Sequence, residues 1–487
     1  MKKLYSFIEM LKSILLVLLF ALAVTMTFMY FKRTSILQFT SNDALASKAL
    51  NINTDIVKSE YVDNQILPEI IAVKKPDEDG YAIHNDRGYL LSIYQIAEKN
   101  FAVILSDKSL CKKENGEVWN DVIKEDSYLY VKFHSELPSS LISMHAAKST
   151  SVSSHQYYPN GEAPYVYEVI FTEFSSKKGS VFAYSRDLDG NIYSYSLTKD
   201  INENIIASPE AFDDYIEAKA MTKASFLGQV DAKINILPST VIFESSIEPP
   251  RIQENIIDKG LSTETEIYTK ILELFNINPY KTGNYFDEEA SSTVYIATHG
   301  KVSISDKFIS YSTENDNGGV DISEFIGEKT YSLSVADEIL AAEIIADSLK
   351  ETAPDFFGGE ADMLLVDIRK SGSELTLEYS YYLDNNSIDS DCLAGIIKIK
   401  NQKLIYMEFY TKSFTYAEKD SARKSFDAAW VINLLIKKAE NFSDLGLYSL
   451  AYTYSPDSDD SKIMSCDWLP VAISKNGIEK EVNDEME

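Results

Sequence analysis

Two periods of alternation between apolar and polar positions run along this chain, and the switches between them predict its elements. From Val181 to Leu197, aromatic and small residues alternate on both sides of Asp189-Gly190. Alternation with period two marks strands, and Asp-Gly tolerates the positive φ angles of a tight turn, so this segment predicts a β-hairpin. A helix should start near Ser208, whose hydroxyl can cap free amides, with Pro209 at the first helical position. Phe212, Tyr215, Ile216 and Ala220 then share one helical face.

The same order recurs twice. Val302 and Ile304 alternate with Ser303 and Ser305 before a turn near Asp306-Lys307, within a hairpin spanning Val294 to Tyr311. Its helix begins at Ser334, which has capping-box spacing to Asp337, and Val335, Ile339, Ala342, Ala346 and Leu349 follow the helical period. A third hairpin runs from Ile396 to Tyr410 around Asn401-Gln402, and Asp420 can cap a helix bearing Phe426, Ala429, Trp430 and Leu434 on one face. The spacing of the three copies is that of domains rather than of a solenoid, so it suggests α+β modules in series. Hairpin followed by helix is also common in unrelated α+β domains.

One segment obeys neither period. Ser13 to Phe31 is an uncharged apolar run of 19 residues, long enough for a helix to cross the ~30 Å hydrocarbon core. Ala21-Leu22-Ala23 resembles a leader-cleavage site, but the apolar run continues through Val24, Met26, Phe28, Met29 and Phe31, which favours a retained anchor. Lys2, Lys3 and Lys12 precede the run while Lys32 and Arg33 follow it, a small bias towards a cytoplasmic N-terminus and a large extracellular part.

The expected fold class is therefore α+β: an N-terminal transmembrane helix, then a multidomain ectodomain of antiparallel sheets with packed helices, its last two domains similar in topology. We divide the chain into a cytoplasmic tail (1–12), an anchor (13–31), an N-terminal ectodomain (37–235), a central α+β domain (236–362) and a C-terminal α+β domain (363–487). Glu248-Pro249-Pro250 and a flexible joint at Phe356-Phe357-Gly358-Gly359 guide the borders. Ala146 to Ser154 reads as a mobile loop and Glu479 to Glu487 as a disordered acidic tail.

Charge narrows the partners. The net charge is −29, which repels nucleic-acid phosphates and anionic lipid headgroups, so nucleic-acid binding is not expected and a partner patch should be basic or apolar. An apolar content of 45%, with 31 Tyr and 23 Phe, argues for packed cores. Cys111, Cys392 and Cys466 form no disulfide framework; Cys392 and Cys466 either pair or stay reduced.

Chemistry-bearing patterns are sparse. The sequence holds no H-E-x-x-H, C-x-x-C, G-x-S-x-G or phosphate-loop pattern, and His84, His134, His145, His155 and His299 lack helical ligand spacing. Asp187, Asp189 and Asn191 begin like a calcium loop but lack its Gly and distal Glu positions, so a hairpin turn is the simpler reading. Gly358-Gly359-Glu360 and the Asp457, Asp459, Asp460 run carry no further context for a nucleotide or cation site. No catalytic residue, cofactor or metal is expected. Ala21 with Thr25, and Ala23 with Thr27, give small-x-x-x-small spacings that let a partner helix approach closely, so these four are the candidate partner-binding residues.

Several runs resemble the YycH family, extracytoplasmic regulators of the WalK (YycG) sensor histidine kinase of low-GC Gram-positive bacteria. They are the short leader with one anchor, Tyr128-Leu129-Tyr130-Val131-Lys132-Phe133 with Leu137-Pro138, Phe275-Asn276-Ile277-Asn278-Pro279, Leu447 to Tyr454, and Asp467-Trp468-Leu469-Pro470-Val471. The polar loop after His145 and the acidic tail depart from the family. The resemblance implies no enzyme activity, a cell-membrane location, and contacts with a WalK/YycG-like kinase and a YycI-like sister protein, largely between transmembrane helices. Two other classes stay open: an extracellular lipid or cell-wall ligand sensor, with Tyr and Phe lining a pocket, and a surface hydrolase built on a carboxylate pair.

Overall fold

The computed structural model describes residues 67–481 apart from 77–79, 84–86, 106–110, 117, 126, 151–164, 173–180, 198–205, 228–239, 244–249, 256, 258–259, 276, 314–317, 327–333, 389–392, 418–446, 458–460 and 474–478. The expected tail and anchor therefore lie outside the described residues, as do Cys392 and the helix face Phe426, Ala429, Trp430 and Leu434. Among the described residues no helix is long and apolar enough to cross a membrane. The architecture is mixed α+β, with mostly antiparallel sheets and few helices.

The first sheet is built from β1 (Pro68–Lys74), β2 (Gly80–Ile83), β3 (Cys111–Glu114), β4 (Tyr128–Pro138), β5 (Tyr165–Phe171), β6 (Val181–Arg186), β7 (Ile192–Ser196), β8 (Thr222–Leu227) and β9 (Thr240–Phe243). Their order is β3-β7-β6-β5-β4-β1-β2-β8-β9, all antiparallel. Central β4 explains the apolar run beginning at Tyr128, because both of its faces are covered. Leu129, Val131 and Phe133 point into the main core with α1 (Arg87–Ile104), while Tyr128 and Tyr130 meet Trp119 of α2 (Val118–Val122) on the other side. Helix α1 buries Leu90, Ile93, Tyr94, Ala97, Phe101 and Ile104, a helical stripe worth roughly 1.5–3 kcal/mol per large side chain. Phe101 meets Phe133 at 5.8 Å and Phe171 at 5.2 Å, tying helix to sheet through tilted and edge-on rings.

The hairpin expected at Val181 to Leu197 is β6-β7, with Gly190 at φ +82°. The helix after it is short, a 3₁₀ turn at Pro209–Phe212 running into α4 (Asp213–Glu217). Ser208 donates its hydroxyl to the Glu210 side chain instead of capping the amides. Ala146 to Thr150, expected as loop, belongs to α3 (Ser139–Thr150), and Ala146 is buried. Small residues suggest a loop by size alone, yet alanine favours helix most strongly.

The second sheet contains β10 (Ile252–Glu254), β11 (Gly283–Asp287), β12 (Ser292–Ile296), β13 (Lys301–Ile304), β14 (Phe308–Ser312), β15 (Val320–Asp321), β16 (Phe357–Gly359), β17 (Asp362–Ser371), β18 (Glu374–Leu383), β19 (Asn386–Ile388), β20 (Gly395–Lys400), β21 (Lys403–Tyr410), β22 (Lys412–Tyr416), β23 (Leu447–Pro456), β24 (Ile463–Ile473) and β25 (Glu479–Glu481). Its main path is β11-β12-β13-β14-β21-β20-β18-β19-β23-β24-β10-β22-β16; β15, β17 and β25 pair with β21, β18 and β24. Only β16/β22 and β19/β23 are parallel among the described pairs. Strands β14 and β21, from either side of residue 362, share one ladder. The segment beginning at Glu479, expected to be disordered, supplies β25, whose backbone pairs with Val471 to Ile473 of β24.

Helices α5 (Thr265–Leu274), α6 (Ser323–Ile326) and α7 (Val335–Thr352) accompany this sheet. The capping box at α7 forms as its spacing predicts, with Asp337 N–H donating to Ser334 Oγ and Ser334 N–H to Asp337 Oδ2. Ile339, Ala342, Ala346 and Leu349 are buried as one stripe. Phe275, just past α5, stacks on Tyr311 at 5.4 Å. The paired glycines are not a loose joint. Gly358 and Gly359 have φ of +96° and +65° within β16, and a Cβ on Gly359 would meet Phe414 O at 2.6 Å.

Candidate functional site

The candidate partner residues Ala21, Ala23, Thr25 and Thr27 lie outside the described residues. Within them, the polar site that joins distant parts of the chain is where the first sheet meets β17, β18 and the turn after β18. It begins with an irregularity in β4. Lys132 pairs with Glu168 and Leu137 with Val166, so His134, Ser135 and Glu136 lie in a register shift between β4 and β5. Such a bulge re-aims side chains away from the regular ladder.

The opposing element is the tight β18-β19 turn, Asp384-Asn385, with φ of +49° and +66°. Asn and Asp tolerate this left-handed region better than other non-glycine residues. Asn385 Nδ2 donates to Glu69 O at 2.8 Å in β1, which orients the amide. Its Oδ1 then accepts from His134 Nε2 at 2.7 Å, so the proton lies on Nε2. The His134 ring meets Tyr382 edge-on at 4.6 Å, and Tyr416 of β22 donates its hydroxyl to Asp384 Oδ2 at 2.7 Å. The turn thus links two strands of the second sheet to the first strand of the other.

Charges surround this clamp. Lys132 pairs with Glu69 at 2.8 Å. Burial opposes its positive charge, but Glu69 and neighbouring groups outweigh that and raise its pKa. Glu136 accepts from Leu188 N–H at 3.1 Å. Burial, aided by Asp187, Asp189 and Asp367 and opposed by that hydrogen bond, pushes the Glu136 carboxyl up to about 7. Beside it in the sheet, Arg186 binds Glu168 at 2.7 Å and lies 5.0 Å from the Trp119 ring.

Other candidate chemistry resolves into structure. Asp187 accepts from the backbone and side-chain amides of Asn191, at 2.6 and 2.7 Å, and closes the β6-β7 turn. Asp457 pairs with Arg251 at 2.8 Å, while Asp459 and Asp460 lie outside the described residues. His299 lies 6.0 Å from Tyr311 beside the second sheet, whereas His134 is on β4 of the first; His145 lies on α3, and His84 and His155 lie outside the described residues. Among the described residues, no three His, Cys, Asp or Glu side chains are grouped to hold a metal. Tyr128, Tyr130, Tyr311, Tyr379 and Tyr381 fill sheet faces. Sequence reasoning missed the His134-Asn385 pair; the turn-forming Asp384-Asn385 dipeptide was its one local signal.

No protein-family model and no curated protein matches the sequence. Among solved structures, YycH from Bacillus subtilis overlays with a TM-score of 0.50 and 10% identity, covering 87% of this chain and 98% of that one. An uncharacterized protein from Eubacterium rectale ATCC 33656 overlays with a TM-score of 0.29 and 10% identity, over 46% of this chain and 76% of the other. The chain is thus similar in fold to YycH across most of its length.

Proposed function

We propose that the chain is a membrane-anchored extracytoplasmic regulator of a two-component sensor histidine kinase, a binding protein rather than an enzyme. The observation that carries this reading is the YycH-like fold over 87% of the chain, together with the apolar run Ser13 to Phe31. Contacts through the anchor, at Ala21, Ala23, Thr25 and Thr27, would favour one of two kinase states, and a YycI-like sister protein would share them. A regulator shifts such an equilibrium only by its difference in affinity for the two states; coupling of about 1–3 kcal/mol is typical.

The junction suits a role in transmission. Asn385, at a turn of the second sheet, holds Glu69 at the start of β1, the first described strand after the anchor segment. A change of position in the second sheet would then reach the strand that follows the anchor in sequence. Crosslinking pull-down from membranes tests the reading, comparing the native chain with one whose Ser13–Phe31 segment is replaced by an unrelated span. Recovery of a sensor kinase with the native anchor alone supports contact in the bilayer. Recovery with both moves the contact to the ectodomain, and recovery with neither overturns the regulator.

A further inference from the structure

The second sheet ends in an edge strand with unusual surfaces. Among the described residues β11 pairs only with β12. Tyr285 and Phe286 alternate to its two faces and are 48% and 62% exposed; Ile296, opposite Gly283, is 57% exposed, and Tyr280 just before the strand is 82% exposed. An open edge offers a row of free backbone donors and acceptors, normally protected by charge or proline along the strand. Here the middle of the strand carries the aromatic pair Tyr285-Phe286, and the charges stand at and beyond its ends.

Those charges are arranged as a self-complement. Lys281 precedes the strand, whereas Asp287, Glu288 and Glu289 close it. When two copies of Gly283–Asp287 pair antiparallel about Tyr285, Tyr285 faces Tyr285 and Gly283 faces Asp287, and the turn holding Lys281 before one strand comes to the same end as the Glu288-Glu289 turn after the other. Parallel pairing would instead set like charges together. A membrane surface fits poorly, because the three carboxylates would meet anionic headgroups.

We propose that β11 is a homodimerisation edge, at which a second copy of this chain adds antiparallel and joins two second sheets across a two-fold axis. Each cross-strand aromatic and opposite-charge pair contributes modestly, and the symmetry doubles every off-axis pair. The net charge of −29 on each copy opposes association, so the dimer is weak and depends on the end charges. This surface is separate from the anchor contacts proposed above.

The test uses the full-length chain in membranes and oxidative crosslinking. Tyr285→Cys should give a disulfide-linked dimer, whereas the wild type and Tyr89→Cys, an exposed position on α1, should not. Lys281→Glu in the Tyr285→Cys background should cut the yield roughly tenfold or more, and adding Glu289→Lys should restore it. The rescue separates loss of pairing from loss of folding. Equal yields at Tyr285→Cys and Tyr89→Cys, no dimer from Tyr285→Cys, capture of a different protein in its place, or no rescue by the charge swap would each overturn the proposal. Kinase recovery in the pull-down is scored separately, so either reading can fail alone.

Discussion

His134 Nε2 donates to Asn385 Oδ1 at 2.7 Å although 251 residues separate the two in the chain. Asn385 also donates to the Glu69 carbonyl, so one side chain serves both a histidine and the first strand. Asn385→Ala would leave His134 and Glu69 without these bonds and place a Cβ-bearing, non-Asn residue at φ +66°. Leaving buried polar groups unsatisfied costs about 1–3 kcal/mol, and left-handed backbone adds roughly 1 kcal/mol. Asn385→Gly should lose only the first contribution. Urea denaturation should place both variants below wild type with alanine lower; an alanine effect under about 0.5 kcal/mol would show that the clamp carries no energy.

Glu136 makes the same junction sensitive to pH. Its carboxyl is pushed from 4.5 to about 7 in the folded chain, chiefly by burial and then by Asp187, Asp189 and Asp367. Between those values the unfolded chain releases the proton while the folded chain keeps it, so stability falls as pH rises through this window and then levels. Glu136→Gln cannot ionise. Its stability relative to wild type should rise across the window and reach about 1–2 kcal/mol above it, allowing for partial exposure. Parallel stability-pH curves for the two proteins would contradict the shift.

Gly359 provides a steric test of the β16 bend. At φ +65°, a Cβ here would stand 2.6 Å from Phe414 O and equally near Ser413 Oγ, so Gly359→Ala meets backbone that cannot swing away. A loss of about 2 kcal/mol or more is expected from left-handed strain and crowding combined. Gly116, where a Cβ would have nothing within 4 Å, is the control, and Gly116→Ala should stay within about 0.5 kcal/mol of wild type. Thermal melts of the pair would settle whether left-handed backbone and close approach together, rather than glycine loss in general, are what matter.

What can be read from sequence is local. Ser334 and Asp337 are three residues apart, so their box needs only helix geometry, and it forms. Asn401 and Gln402 take φ of +52° and +64° in the turn that their flanking alternation predicts. Ala146 misleads because its small neighbours resemble a loop by composition, while its burial on α3 depends on the sheet. The junction is hidden for a different reason: nothing near His134 announces Asn385, and only β17 and β18 packing beside the first sheet brings them together. The β11 edge is foreshadowed in kind, as an apolar patch on an acidic protein, but its position requires the strand order.

Glu343 sits on the buried side of α7, where Tyr379 donates its hydroxyl to Oε1 at 3.0 Å. Burial, reinforced by the Asp347 charge one turn along, holds its pKa well above the usual carboxylate value, against the lowering effect of the tyrosine hydrogen bond. The folded chain therefore holds the Glu343 proton more tightly than the unfolded chain does. From the ordinary carboxylate value upward, this group makes folding less favourable with each unit of pH, at up to about 1.4 kcal/mol per unit. Glu343→Gln removes that dependence and keeps an oxygen for Tyr379. Its stability relative to wild type should climb as pH rises above the ordinary carboxylate value. Glu343→Lys should fail to fold, since a buried unpaired charge costs several kcal/mol. A flat difference between Glu343→Gln and wild type would mean that Glu343 ionises equally in the folded and unfolded chain, and that α7 tolerates a carboxylate within its core.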